Sequence, residues 1–271
     1  MDLHIHSTHS DGQLTPSEII HIASSKGINV LSITDHDEIA AYHSGKRTAN
    51  FLGITLIPGI ELNTDGEDGE LHILGYYINP YSETLLNYIA WRKKERTDWA
   101  KKIVNKLRDM GYNISFDACA RRAKGGVIVR THIADELFSK GYFPSSEHAY
   151  GTLLIKGATA FVKRADFTAE DAIQLIHDAG GEAYLAHPGI YPFDIHIQRL
   201  IAYGLDGIEV YHSKHKQAQI AYWEKIAQQA SLKVSGGSNH HGPQSFNPYP
   251  IGSVLLSDFC IKQWTAREPI T

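Results

Sequence analysis

The chain has 271 residues, 42% hydrophobic and 21% charged, with a net charge of −4. That is enough chain for a full core, in the balance of an ordinary globular protein, and the slight negative charge excludes general nucleic-acid coating. No apolar run is long enough to span a bilayer, and the N-terminus lacks the basic and apolar regions of a secretory signal. The first element is residues 2–6. Leu3 and Ile5 alternate with His4 and His6, which is strand alternation and sets both imidazoles on one face. Asp11 follows in a turn marked by Gly12. Imidazole and carboxylate converging at a strand end are the donors that divalent transition metals take.

Strand and helix signals then alternate. Thr15-Pro16-Ser17-Glu18 opens a helix as a capping box with Pro at the first helical position, and Gly27 ends it. Val30–Ile33 reads as a buried strand ending in Thr34-Asp35-His36-Asp37, followed by a helix to about Phe51. Ile54–Ile60 is the next strand and runs into Glu61; Leu71–Ile78 is another and carries His72. The rhythm breaks at Ser82. A long helix to Met110 places Trp99, Ile103 and Leu107 at spacing four. Further helical stretches run to Lys156, broken at Gly125-Gly126 and Pro144. We read 82–156 as a helical insertion into a domain made of 1–81 and 157–271. The rhythm resumes with a helix over Thr168–Ala179. The strands Ala183–Ala186, Gly207–Val210 and Leu232–Ser235 follow, the last two separated by a helix over Lys214–Ala230. Repeated strand–helix units imply a parallel sheet, here an α/β fold closing as a (β/α)7 barrel with its site at the strand ends.

Histidine is the compositional outlier, with 16 residues. His4, His6, Asp11, His36, Glu61, His72, His187, Asn239 and His241 mostly sit at strand ends followed by Gly, Asp or Pro, a registration that scattered surface histidines would not keep. Charge is also uneven. Residues 92–130 hold twelve Lys/Arg and four Asp/Glu, leaving −12 elsewhere, which suits cations in an acidic body and an anionic substrate near the basic segment. Within that segment, Arg92-Lys93-Lys94-Glu95-Arg96 reads as a solvated helix face. The two cysteines, Cys119 and Cys260, make no disulfide framework and fit a reducing cytoplasm.

His-x-His-x4-Asp-Gly, Thr-Asp-His, Gly-Ile-Glu, an isolated His, Ala-His-Pro-Gly and a late Gly-Ser-x-x-His together resemble the PHP (polymerase and histidinol phosphatase) family over nearly the whole chain. Arg130-Thr131-His132 in the insertion and Gly207–Tyr211 resemble the branch that hydrolyses nucleoside 3′,5′-bisphosphates and trims short RNA from the 5′ end. The resemblance implies a distorted (β/α)7 barrel holding two to three divalent ions, manganese, iron or zinc. His4 and His6 would hold the first ion. Glu61 would bridge it to a second held by His72 and His187, and Asp11, His36 and His241 would hold a third. Asp35 would orient a ligand histidine. Asn239 departs from the family's usual Asp and offers only a neutral carbonyl oxygen.

Arg130 and His132 are candidates for phosphate capture and catalysis, since a guanidinium fork matches phosphate oxygens. Lys163 is a candidate for a second phosphate, and Tyr211, His212 and His215 for a base or ribose pocket. The expected substrate is a small phosphorylated molecule, a nucleotide or short RNA, with no membrane and no obligate protein partner. The alternatives are a phosphatase for another small ester, such as histidinol phosphate, and a binding or regulatory domain impaired in metal binding by Asn239.

Overall fold

The computed structural model describes residues 1–66, 68–123 and 128–266; the expected break at Gly125-Gly126 lies outside them. Helix α1 (Pro16–Ser25) begins with the capping box: Thr15 accepts from the Glu18 N–H, and Glu18 reaches back to the Thr15 backbone. It stops at Lys26, where Gly27 takes a φ of +68 that a side chain would resist. Strand β1 (Val30–Ile33), helix α2 (Ala40–Phe51) and strands β2 (Thr55–Asn63) and β3 (His72–Tyr76) follow. After β3 come four helices, α3 (Glu83–Asp109), α4 (Phe116–Arg122), α5 (Arg130–Ser139) and α6 (Ser146–Leu153). Then come α7 (Ala169–Asp178), β4 (Glu182–Leu185), α8 (Ile197–Ala202), β5 (Gly207–His212), α9 (Gln217–Gln229), β6 (Lys233–Gly237) and α10 (Asp258–Thr265).

The strands form one curled six-stranded sheet in the order β1-β2-β3-β4-β5-β6. β1–β2, β4–β5 and β5–β6 are parallel, but β3 runs antiparallel to both neighbours. This departs from the all-parallel expectation, because only eight residues, 64–71, separate Asn63 from His72, too few for the crossover a parallel partner needs. Residues 2–6 make no ladder of their own. They lie between the two edges of the sheet: Asp2 N donates to Val30 O and Thr34 N to Ile5 O on one side, Leu3 N to Gly236 O and Asn239 N to His4 O on the other. Leu3 and Ile5 pack in the hydrophobic layers outside the sheet, and His4 and His6 are equally buried. The alternation of residues 2–6 therefore separates a core from an interior site, rather than a core from water.

The main core packs Ile60, Leu62, Ile73 and Ile208 with Ile176 of α7 and Trp264 of α10. A separate cluster joins Trp99, Ile103 and Leu107 of α3 with Cys119, Ile133, Leu137 and Leu153. Each such side chain taken from water contributes about 1.5–3 kcal/mol, which is how the helices of 99–153 hold together without a sheet. Among the described residues no helix is long and apolar enough to cross a membrane.

Candidate metal centre

Glu61 is the centre of the arrangement. It lies within β2, 1% exposed, and its Oε2 faces His6 Nε2 at 3.0 Å, His36 Nδ1 at 3.1 Å and His4 Nε2 at 3.3 Å. Its Oε1 faces His72 Nδ1 at 2.9 Å and His187 Nε2 at 3.0 Å. Asp11 Oδ1 lies 3.4 Å from His241 Nε2, 3.6 Å from His6 Nδ1 and 4.0 Å from His36 Nε2. Among the described residues three groups have donor atoms within 4.8 Å of one another: His6, Asp11, His36 and His241; His4, Glu61 and His187; and His36, Glu61 and His72. His36 belongs to two groups because its two ring nitrogens face different carboxylates. Compared with the expected partition, His6 stands with the Asp11 group and His4 with His187.

Burial alone would raise the Glu61 carboxyl, but His36, His4 and His72 hold it well below the ordinary range. Burial presses His36 well below the usual imidazole value, and burial with His6 takes His241 down to about 3. Glu61 Oε2, His36 Nδ1 and Asn239 Oδ1 are buried with no hydrogen-bond partner. Where burial leaves nitrogens unprotonated, as at His36 and His241, they and the carboxylate oxygens facing them in a dry interior repel unless a cation lies between them. The donor set thus fits divalent ions. Asn239, with φ +50, sits just past β6, so its unpartnered oxygen is available as a neutral donor.

Several candidates stand elsewhere than expected. Asp35 touches no histidine ring: its oxygens accept from Ser7 N at 2.8 Å, Ser7 Oγ at 2.6 Å and Ser10 Oγ at 2.5 Å. It shapes the 7–10 turn; Ser10, 3.4 Å from His6 Nδ1, connects its carboxylate to a ligand, and its backbone carbonyl accepts the Glu61 N–H at 3.1 Å. Lys163 points away, with its ammonium 61% exposed and 2.5 Å from Asp166, where solvation favours it; the neighbouring Arg164 turns inward instead. Tyr211 is directed outward by strand alternation, donating to Glu224 at 2.5 Å in a cavity between α9 and α10. His212 does face inward, its ring 5.5 Å from that of His187 and 6.2 Å from that of His4. His215 supports the loop after β4, accepting the Gly189 N–H at 3.0 Å. Arg130 is paired with Glu70 at 2.5 Å, and His132 is buried at the start of α5.

Arg92 and Arg96 are the plainest correction. They are not a solvated face but 0% and 2% exposed, while Lys93 and Lys94 between them are exposed. Arg96 donates from Nε to Asp37 at 2.9 Å and also through Nη2, and Tyr88 donates to the same carboxylate at 2.8 Å. Arg92 and Arg164 lie 3.8 Å from it. These cations hold the buried Asp37 well below the carboxylate range, against a burial that would raise it. Spacing four in α3 puts both arginines on the inward face, and a buried carboxylate supplies the counter-charge. Glu209 was also missed as a site residue. It is 0% exposed and bonds His4 Nδ1 and the His187 N–H. A carboxylate inside the otherwise apolar run Gly-Ile-Glu-Val was the available signal, because a buried charge must have partners.

A family model described as PHP domain matches residues 2–121. The 5′-3′ exoribonuclease Rnm of Escherichia coli K12 is 33% identical over 249 residues, 89% of this chain and 85% of that one. The chain belongs to the PHP family. The 3′,5′-nucleoside bisphosphate phosphatase of Chromobacterium violaceum is 31% identical to this PHP chain over 249 residues, covering 90% and 87% of the two. A crystal structure described as a metal-dependent phosphoesterase from Bifidobacterium adolescentis matches with a TM-score of 0.87 at 26% identity, over 97% of this chain and 94% of that one. The protein is accordingly a metal-dependent phosphoesterase, a hydrolase, as the resemblance implied.

Two cavities open on the centre of the PHP chain. One, of about 310 Å³, runs from Asp11, His36 and His72 to Arg96, Arg130 and Arg164, with Trp99 and Tyr150 on its walls. Burial, then the neighbouring Arg96, lowers the Arg164 guanidinium to about 10, and its Nε has no hydrogen-bond partner. An anion entering there would meet cations crowded by one another. The second cavity, of about 490 Å³, lies on the other side of Asp11, Thr131, Ser146, Glu147 and Phe246, which line both.

Proposed function

We propose that this PHP chain removes the terminal phosphate of a nucleotide carrying a second phosphate, such as a nucleoside 3′,5′-bisphosphate, and acts on the 5′ ends of short RNA. The observation that carries the reading is the first cavity. Its metal-ligating end suits the phosphate being removed, and its arginine end suits a second anion. Two aromatic walls, Trp99 and Tyr150, suit the nucleoside between them. The relatives named above supply the substrate class by analogy.

In this reading His4, Glu61 and His187 would hold one ion, with Asn239, whose N–H donates to the His4 carbonyl, beside them; His36, Glu61 and His72 would hold a second, and His6, Asp11, His36 and His241 a third. With two or three divalent ions bound, of manganese, iron or zinc, these residues would have at hand an activated water near neutral pH and polarised phosphoryl oxygens. Arg130, Arg96 and Arg164 hold and orient the phosphate that stays, and His132, which lines the second cavity together with Asp11, flanks the reacting end. Residues 82–156 act as the inserted lobe that carries Arg96 and Arg130 to the barrel formed by 1–81 and 157–271.

The test is phosphate release with added manganese from a nucleoside 3′,5′-bisphosphate, the matching 5′-monophosphate and histidinol phosphate. Preference for the bisphosphate by tenfold or more in kcat/KM is expected. Equal turnover of all three would remove the two-phosphate reading, and preference for histidinol phosphate would replace it. Absence of bound metal and of turnover would favour the binding-domain alternative that Asn239 raises.

A further inference from the structure

We infer that the second cavity seats the next nucleotide of an RNA strand, the one joined to the far side of the phosphate being attacked. The inference rests on the reading above. One reaction then serves both substrates. Water adds to phosphorus, the bond from phosphorus to the 3′ oxygen of the first nucleotide breaks, and that oxygen leaves with a proton as the 3′-hydroxyl. With a bisphosphate the other product is inorganic phosphate. With a strand it is an RNA one nucleotide shorter that keeps the phosphate at its 5′ end. The two cases differ only in what remains attached to the attacked phosphorus, and this remainder must lie opposite the first nucleotide.

The structure has such a place. The two cavities meet at Asp11 and Phe246, with the Asp11, His36 and His241 group at their junction. Their linings contrast. The first ends in Arg96, Arg130 and Arg164. In the second the only arginine among the described residues, Arg122, is bound to Glu136 at 2.7 Å, and Asp135 lies on the wall, Glu147 being shared by both cavities. Free anions are therefore disfavoured there. What the second cavity offers is amide and hydroxyl groups, from Gln13, Gln244 and Ser245, and the rings of Phe138 and Phe246. Those are groups that hydrogen-bond ribose and base edges and stack on a base face. A sugar and base fit this lining, and another phosphate-rich end does not. The cavity's volume of about 490 Å³ exceeds that of the arginine-lined one, and Gln244 and Phe138 on its wall are exposed, which leaves a route out for a continuing strand.

The experiment compares kcat/KM for a nucleoside 3′,5′-bisphosphate and for a 5′-phosphorylated dinucleotide in wild type, Gln244→Trp and Phe138→Ala. The first variant fills the cavity from an exposed position; the second removes a stacking face. The dinucleotide-to-bisphosphate ratio should fall by tenfold or more in Gln244→Trp and by roughly fivefold or more in Phe138→Ala. A dinucleotide with 2-aminopurine at its second position gives a readout without turnover: its fluorescence should be quenched on binding to metal-free wild type and less so to Phe138→Ala. An unchanged ratio in both variants, or a wild type that hydrolyses the bisphosphate but not the dinucleotide, overturns the inference and leaves the bisphosphate reading standing. A wild type that hydrolyses neither removes that reading first.

Discussion

Glu209 Oε1 lies 2.8 Å from Nδ1 of His4, across 205 residues of sequence. The other oxygen of the same carboxylate accepts the His187 backbone N–H at 2.7 Å. His187 has a φ of +32, an uncommon conformation for a side-chain-bearing residue. One buried anion thus orients the His4 ring, turning its Nε2 toward Glu61, and pins the backbone that presents His187.

Glu209→Gln keeps the shape and one acceptor but removes the charge. Metal affinity measured by titration should weaken by roughly tenfold to a hundredfold, the usual effect of losing a partner behind a ligand. Glu209→Ala should also lower the unfolding free energy by about 1–3 kcal/mol, because the buried His187 N–H loses its acceptor. Unaltered metal binding in Glu209→Gln would mean that packing alone orients His4.

Asp37 joins α3 to the sheet through Arg96 and Arg92. Asp37→Asn leaves the buried Arg96 guanidinium without its counter-charge, Arg92 keeping Glu95, and breaking such a pair costs about 3–5 kcal/mol. Denaturant unfolding should show that loss, while Lys93→Ala and Lys94→Ala on the exposed face of the same helix should stay within about 0.5 kcal/mol of wild type. A small effect of Asp37→Asn would mean that water reaches the cluster.

Arg130 lines the first cavity and is already paired with Glu70. A charge-assisted hydrogen bond contributes about 1.5–3 kcal/mol, so Arg130→Ala should lower kcat/KM for a bisphosphate roughly tenfold to a hundredfold. A monophosphate should lose less if Arg130 serves the phosphate that stays. Equal losses would move Arg130 to the reacting phosphate, and no loss would leave it as the partner of Glu70 alone.

Asn239→Asp places an anionic oxygen where a buried neutral one has no partner, and Asp tolerates the left-handed backbone there. Binding of the ion nearest His4 and His6 should tighten by about tenfold, ~1.4 kcal/mol. Titration of both proteins with manganese checks it. Equal or weaker binding in the variant would show that a neutral donor already completes the position.

Much of this molecule is legible along the chain because it depends on near neighbours. The capping boxes at Thr15 and Thr168, the burial of Leu3 and Ile5, and the apolar stripe of Trp99, Ile103 and Leu107 follow from residues two to four apart. So does the placing of histidines at strand ends, because a strand end beside a turn is where a polar side chain can leave the core. Periodicity, however, states which residues share a face and not what lies opposite that face. Arg92 and Arg96 share one in any helix. Whether that face meets water or a buried carboxylate was decided by Asp37, 59 residues from Arg96. Tyr211 and His212 are adjacent, so alternation sends them to opposite faces, but only the packing around β5 decided that one meets Glu224 and the other His187. The short connection from Asn63 to His72 already imposes the reversal of β3, but the pairing of Glu209 with His4 belongs to the same class. Each sets a buried polar group against a partner remote in sequence, and its cost or gain exists only once the chain has closed around it.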